Sequence, residues 1–254
     1  MGWLLSPEGA LCLSCGRLRG QLSGLPLCPA CARELVRAPY GRGLLCPRCK
    51  SLIRPGKPCA FCARDREHLL GETFAPYRYH GAPRSLVLTL KFRGDARAAA
   101  LLAPAMARSL KDPSAYNALV PVPLSAQRLR ERGFNQAQEL AELVGVQTGL
   151  PVRDLLVRVR KTARQTDQRT LRERTLNVQD AFALAPGASC QGKRLLLVDD
   201  VRTTGATVLS CARALRQMGA VEIGLLAACI APGLVKGRTK IKGKCFREGR
   251  RKSR

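Results

Sequence analysis

Residues 195–207 read LLLVDDVRTTGAT, and they are the clearest indication of the fold class in this chain. An aliphatic run of this kind, which we place at 194–198, is typical of a central strand in a parallel sheet. Two acids, Asp199 and Asp200, follow it, and small and hydroxyl residues then open a helix predicted over 205–218. A strand, a polar turn and a helix in this order are the repeating part of an α/β fold.

The flanking segments alternate between strand and helix patterns. We expect strands at 73–80, 118–123, 155–159 and 221–230, and helices at 83–92, 96–110 and 135–150. This alternation predicts an α/β domain with a doubly wound, mostly parallel sheet. Segment 160–177 shows neither period and is long for a loop, as functional or disordered loops are.

The turn after the central strand has the composition of a sugar-phosphate site. Main-chain N–H groups at a helix start can wrap a phosphate together with the hydroxyls of Thr203, Thr204 and Thr207. Gly205 lets the backbone come close to the ligand. Two adjacent carboxylates repel phosphate but suit ribose hydroxyls, or a Mg²⁺ ion near them. Helix capping is the alternative, but it does not require two acids and three threonines.

Eight of the twelve cysteines form four C-x-x-C pairs near the start of the chain. They are Cys12, Cys15, Cys28, Cys31, Cys46, Cys49, Cys59 and Cys62. Two such pairs complete a four-thiolate zinc site, so the spacing predicts about two structural Zn²⁺ ions in a double zinc ribbon. Disulfides and redox pairs are the alternatives. Sequential pairing is the arrangement we prefer, and a cross-braced arrangement stays open.

The formal net charge of +26 favours polyanionic partners. Its density is highest in residues 235–254, which hold ten basic residues and one acid. Such a tail cannot bury enough surface to fold alone, so we predict a disordered segment that binds single-stranded DNA or other nucleic acid. The alternative is a merely solubilising extension.

Composition also limits the class of protein and suggests how the chain divides into domains. No apolar run reaches the ~18 residues of a membrane span, and the N-terminus lacks the basic and apolar regions of a signal peptide. We therefore expect a cytoplasmic protein without a membrane span. The expected domains are a double zinc ribbon at 1–70, an α/β domain at 71–234 and the basic tail at 235–254. Because the α/β domain has its own aliphatic core, metal removal is expected to unfold only residues 10–65.

The string VDDVRTTGAT resembles the PRPP signature of type I phosphoribosyltransferases, and further motifs resemble the ComF family. These motifs are LKFRGD at 90–95, PVPL at 121–124 and RLRERGFNQ at 128–136, with Thr162, Gln165, Arg174, Asn177 and Phe182. The family joins an N-terminal double zinc ribbon to a phosphoribosyltransferase domain and was named for competence, the uptake and processing of transforming DNA.

The resemblance implies a role for each matching segment. Asp199 and Asp200 would hold the ribose hydroxyls of PRPP, with Mg²⁺. The 5′-phosphate would lie on the loop made by Thr203, Thr204, Gly205, Ala206 and Thr207. Residues 121–128, which begin with Pro121, Val122 and Pro123, would form the pyrophosphate loop, and 160–177 would form a hood. Arg128, Lys161 and Arg164 are the basic candidates that face the leaving group.

Two functions of different classes remain open from the sequence. One is a Mg²⁺-dependent phosphoribosyltransferase with an unassigned acceptor, linked to handling of transforming DNA. The other is a non-catalytic nucleic-acid-binding accessory protein that keeps the PRPP pocket as a sensor or a relic. The intact acid pair favours the first, whereas the zinc ribbons and the basic tail favour the second.

Overall fold

The computed structural model describes residues 11–19, 24–37, 44–159 and 181–231. The helices are α1 (Pro29–Arg37), α2 (Gly81–Arg93), α3 (Ala96–Ser109), α4 (Ala126–Arg132), α5 (Gln136–Thr148) and α6 (Ala206–Gln217). The strands are β1 (Thr73–Phe74), β2 (Tyr77–Arg78), β3 (Ala118–Pro121), β4 (Leu156–Arg158), β5 (Phe182–Leu184), β6 (Arg194–Arg202) and β7 (Glu222–Ile230).

The main sheet is parallel and is covered by helices on both faces. β6 lies between β3 and β7, and the other edge of β7 pairs with β1 and then β2. Leu196 and Val198 of β6 pack on the side of α2, α3 and α5, whereas Leu195 and Leu197 pack on the side of α6. The predicted α/β class with a doubly wound, mostly parallel sheet is confirmed.

Two strand predictions differ from the structure in length. The strand expected over 73–80 is two short strands, because Pro76 between them has no N–H to donate to the sheet. β6 continues four residues past Val198, because β7 runs beside it as far as the Arg202–Ile230 pair. The two acids therefore lie inside the strand and not in a turn after it.

The strand expected over 155–159 does not join the main sheet. Its central residues form β4, which pairs antiparallel with β5 in a separate two-stranded sheet. β5 and the short helices α1 and α4 are elements that we did not predict from the sequence pattern.

The cysteine-rich segment shares its buried residues with the α/β domain. Cys12 and Leu27 belong to the same buried cluster as Leu86 of α2, and Cys49 and Phe61 belong to the cluster on the other side of the sheet. The Thr89 hydroxyl of α2 donates a buried hydrogen bond of 2.9 Å to the main-chain carbonyl of Leu13, which lies between Cys12 and Cys15. No helix in the described parts of the chain is long and apolar enough to cross a membrane.

Candidate functional site

The acid pair lies where β6 extends beyond its neighbour. β3 ends at Pro121, opposite Val198, so the residues from Asp199 onward project past the end of β3. Successive side chains of a strand point to opposite faces. Asp200 therefore shares a face with Val198 and helices α2 and α5, whereas Asp199 shares a face with α6.

Asp200 is buried and ion-paired. Its Oδ1 lies 2.8 Å from Lys91 Nζ, and its exposed fraction is 6%. Asp95, the other acid near this lysine in the sequence, instead pairs with Arg97 at 2.7 Å and caps α3. Lys91, at the end of α2, is thus part of the site and compensates the charge of the buried carboxylate.

The Asp199 carboxyl is partly protonated near neutral pH. Burial and the adjacent Asp200 carboxylate raise the pKa of Asp199 to about 7, although Lys91 acts in the opposite direction. The main-chain N–H of Asp200 donates to Asp199 Oδ1 at 2.8 Å, which orients the carboxyl group. Within the described residues only Asp200 has a direct cationic partner, so the two carboxyls have different electrostatic surroundings.

The predicted phosphate loop leads directly into α6. Gly205 has a left-handed φ of 83° and is the N-cap, and Thr204 Oγ1 accepts from the N–H of Ala206 at 3.4 Å. Thr203 is exposed, and Thr207 lies in the first turn of the helix. The loop therefore brings hydroxyls and the free N–H groups of a helix start to one place, as an anion site requires.

A glycine is required at position 205 because its backbone packs against Phe61, which lies between Cys59 and Cys62. A Cβ at this position would overlap the ring of Phe61, and the positive φ disfavours other residues as well. Arg64 donates to the carbonyl of Thr204 at 3.3 Å. The sequence explained this glycine by the close approach of a phosphate, and the structure adds a packing reason.

Arg202, within the string that resembles the PRPP signature, also contacts Phe61. Its side chain is almost fully buried, and Nη2 donates to the Cys49 carbonyl at 2.8 Å and to Ser51 Oγ at 2.9 Å. Its guanidinium lies 4.3 Å from the centroid of the Phe61 ring. The strand that carries the acid pair is therefore tied to the second cysteine cluster.

The expected pyrophosphate loop connects β3 to α4. Val122 donates its N–H to the Val198 carbonyl at 3.0 Å and accepts at its own carbonyl from Asn135 Nδ2 at 3.1 Å. Ser125 caps α4 by accepting from the N–H of Arg128 at 3.2 Å. Pro121, Val122 and Pro123 are thus held next to the end of β6, beside the acid pair.

Arginines surround this edge of the sheet. Burial and the neighbouring Arg128 lower the pKa of Arg132 and of Arg158, and the Asp200 carboxylate opposes the shift at Arg132. Arg132 also donates to Gln136 Oε1 at 2.7 Å. From the sequence, Arg132 with Asn135 and Gln136 begins a helix where an anion or the pyrophosphate loop could dock, with helix capping as the alternative. Arg158 was not considered, because its strand was assigned to the main sheet. Lys161 and Arg164, with the rest of segment 160–177, lie outside the described residues.

Both cysteine groups have the geometry of a four-thiolate metal site. The sulfurs group as Cys12, Cys15, Cys28 and Cys31 and as Cys46, Cys49, Cys59 and Cys62, each set within 4.8 Å. The arrangement is therefore sequential and not cross-braced. Sulfur–sulfur distances of 3.3, 3.6 and 3.8 Å are too long for disulfides and close to the ~3.8 Å that tetrahedral zinc imposes. These residues fit structural zinc.

Main-chain N–H donors lower the pKa of one thiol in each cysteine group. Burial would raise the pKa of Cys12, but hydrogen bonds from the backbone of Cys28, Cys15 and Ser14 lower it to about 7. Cys46 shows the same balance between burial and backbone donors, again with a pKa of about 7. Since the metal binds the thiolate, these donors favour the ligating form.

Comparison with known proteins agrees with this geometry. Residues 96–248 match the family model of the phosphoribosyl transferase domain. The chain is 30% identical over 220 residues to "Competence protein ComFC" of Bacillus subtilis, covering 85% of this chain and 82% of the relative.

A second relative has a different printed function. The chain is 32% identical over 228 residues to "DNA utilization protein YhgH" of Salmonella typhimurium, covering 86% of this chain and 96% of the relative. It is also 27% identical over 227 residues to "Competence protein F" of Haemophilus influenzae, covering 84% and 93%. The chain belongs to the phosphoribosyl transferase domain family and, within it, to the ComF group of competence and DNA utilization proteins.

Proposed function

We propose that this chain binds PRPP with Mg²⁺ at the carboxyl ends of β3 and β6 and transfers its phosphoribosyl group to an acceptor. The observation that supports this most is the position of Asp199 and Asp200 immediately before a threonine loop at the start of α6. Ligands of α/β sheets lie at this edge, outside the carboxyl ends of the strands.

Each part of the edge has a role in this proposal. Asp199 and Asp200 accept hydrogen bonds from the ribose hydroxyls, and Thr203–Thr207 hold the 5′-phosphate with hydroxyls and main-chain N–H groups. Lys91 holds the Asp200 carboxylate in place for this purpose, since the two form an ion pair at 2.8 Å. The pyrophosphate loop, residues 121–128, faces the diphosphate.

The reaction breaks the bond between ribose C1 and the diphosphate oxygen, and pyrophosphate leaves with the bonding electrons. The acceptor's nucleophile then forms the new bond to C1. Arg128, with Lys161 and Arg164 of the hood segment, stabilises the departing charge. Mg²⁺, when bound, neutralises the diphosphate, and the carboxylate oxygens of the acid pair are donors of the kind that it prefers.

Substitution of Asp200 tests the proposal. Asp200→Asn removes a charge-assisted hydrogen bond, so calorimetry should show PRPP with Mg²⁺ binding about ten- to a hundredfold more weakly. Thr204→Ala should weaken binding less, because main-chain donors remain. Asp112→Asn is the matched control, because Asp112 caps a short turn before β3, at the opposite edge of the sheet. Equal affinity of the wild type and Asp200→Asn would contradict the ribose contact.

We further propose that the two cysteine groups bind structural zinc, one ion each. All four positions of each tetrahedron are taken by protein sulfur, so no position is open for catalysis. Among the described cysteines none forms a disulfide, which fits a reducing compartment such as the cytoplasm. The proposed boundaries are 1–70 for this module, 71–234 for the transferase domain and 235–254 for the tail.

A second candidate is a nucleic-acid-binding accessory protein in which the PRPP pocket is a sensor or a relic. It is supported by the net charge of +26 and by relatives whose printed names refer to competence and DNA utilization. We propose single-stranded DNA as the partner, bound through basic surfaces and the tail. Measuring pyrophosphate release from PRPP separates the two candidates, because only the transferase turns PRPP over.

A further inference from the structure

A basic surface at the rim of the pocket is not explained by PRPP binding alone. We call it the rim surface and define it as Phe92 and Arg93 at the end of α2 together with helix α4 (Ala126–Arg132). None of the residues of α4 is buried. Helices of globular domains are normally stabilised by burying an apolar face, so packing does not explain why α4 is present.

The rim surface combines an exposed aromatic ring with guanidinium groups. Phe92 is 73% exposed, and Leu129 of α4 is 44% exposed. The Arg132 guanidinium lies 5.7 Å from the centroid of the Phe92 ring and joins the two elements of the surface. In the part of the chain that the structure describes no element covers this ring, so Phe92 and Leu129, exposed together beside arginines, are available to a ligand.

The charge of the rim surface selects the partner. It contains Arg93, Arg128, Arg130 and Arg132, and its one acid, Glu131, accepts a hydrogen bond from Gln127 at 2.8 Å. A second copy of this chain carries the same charge of +26 and would be repelled. A polyanion is attracted, and an exposed ring beside arginines suits unpaired bases, which a duplex keeps stacked inside.

We propose that the rim surface binds single-stranded nucleic acid, with a base stacked on Phe92 and phosphates on the arginines. This rests on the nucleic-acid partner proposed above and gives it a place. Lys91, adjacent to Phe92, contacts Asp200, so the bound strand passes the mouth of the sugar-phosphate pocket.

The test uses the full chain and fluorescein-labelled oligothymidylate, followed by anisotropy at two salt concentrations. Phe92→Ala should weaken binding at least about fivefold, and Phe92→Trp should retain it, because the loss is one of base stacking. Val146→Ala is the matched control, since Val146 is an 87% exposed apolar residue toward the far end of α5. Arg93→Gln should lower the slope of log affinity against log salt by about 0.7, whereas Lys193→Gln, before β6, should not.

The Phe92→Ala variant distinguishes the rim surface from other binding sites. Unchanged thermal stability and unchanged binding of ribose 5-phosphate in Phe92→Ala, with weaker oligonucleotide binding, support the rim surface. Equal oligonucleotide affinity of Phe92→Ala and wild type overturns it and leaves the nucleic-acid partner in place elsewhere. A change in oligomeric state with unchanged oligonucleotide affinity identifies an interface between copies and also overturns it. No binding by the wild type overturns both this inference and the nucleic-acid partner.

Discussion

Arg202 shows how one residue links the two parts of the molecule. A buried arginine is tolerated only if its donors are satisfied, and here Cys49 O and Ser51 Oγ accept from it while the Phe61 ring stacks on it. The sequence places Arg202 beside the threonine loop but offers no partner for it. Its acceptors are about 150 residues away in the chain, and no local pattern reveals such a pairing.

Arg202→Met should lower the free energy of unfolding by about 2–4 kcal/mol, because the buried Cys49 carbonyl and the partly buried Ser51 hydroxyl lose their donor. It should also weaken ribose 5-phosphate binding, since the Phe61 ring that supports Gly205 loses its neighbour. Arg202→Lys should restore only part of the stability, because a lysine lacks the planar fork. Denaturant unfolding and calorimetry measure the two effects.

Arg84→Met is the matched control for Arg202. Arg84 also lies over an aromatic ring, 5.7 Å from the centroid of Tyr79, but it is exposed. Its loss should change stability by less than about 1 kcal/mol. If Arg202→Met is as stable as Arg84→Met, the buried link contributes nothing.

Asp199 makes ligand affinity depend on pH. Its pKa is raised to about 7, so the folded chain holds a proton there that it must release to bind a ribose hydroxyl or Mg²⁺ as a carboxylate. Affinity for ribose 5-phosphate with Mg²⁺ should therefore rise from pH 6 to pH 8, by at most about tenfold per unit below the pKa. Folding stability has the opposite dependence and falls as pH rises through 7.

Asp199→Asn isolates this effect. The phosphate of the ligand titrates near pH 6 with either protein, so the informative quantity is the difference between the two pH profiles. The variant should lack the additional rise between pH 6 and pH 8. Parallel profiles would show that the protonation of Asp199 is not linked to binding.

At the scale of elements, the sequence predicts those helices and strands that have a clear pattern of apolar residues. β3, β6 and β7 are aliphatic strands, and α2, α3, α5 and α6 lie where periodic apolar residues placed them. α4 escaped prediction because it has no apolar face, and its sequence AQRLRER carries no core signal. The β4–β5 hairpin escaped because its strands are separated by residues 159–181, and only tertiary pairing identifies them.

The sequence indicated the segments of the candidate site, but it did not indicate which side chains contact them. The acids, the threonine loop and residues 121–128 were all singled out as candidates, and the structure brings them to one edge of the sheet. The side chains that surround them, Lys91 on Asp200 and Arg64 on Thr204, depend on the packing of distant elements. Those pairings follow from the fold and not from sequence spacing.

At the scale of the molecule, the cysteine clusters contribute to the stability of the α/β domain. The sequence suggested that metal removal would unfold only residues 10–65. The shared buried clusters and the Thr89 hydrogen bond give a different expectation, because loss of either cluster exposes apolar surface of the sheet's own helices. Metal removal should therefore destabilise the whole chain.

The purified protein should carry about two zinc ions per chain, and stripping them should lower the temperature of one cooperative unfolding transition. Metal analysis and scanning calorimetry measure both quantities. Cys49→Ser should halve the zinc content, whereas Cys190→Ser, equally buried but outside the clusters, should retain it. Folded protein without zinc would contradict the metal assignment, and an independent domain transition of unchanged temperature would contradict the shared core.

We infer that the carboxyl end of β6 binds PRPP. The most direct measurement is a calorimetric titration of the zinc-loaded wild-type chain with PRPP, in the presence of Mg²⁺ and again with Mg²⁺ omitted. We expect one PRPP per chain with Mg²⁺ and markedly weaker binding without it, because the diphosphate charge is then uncompensated next to two carboxyls. Absence of binding under both conditions would contradict the account.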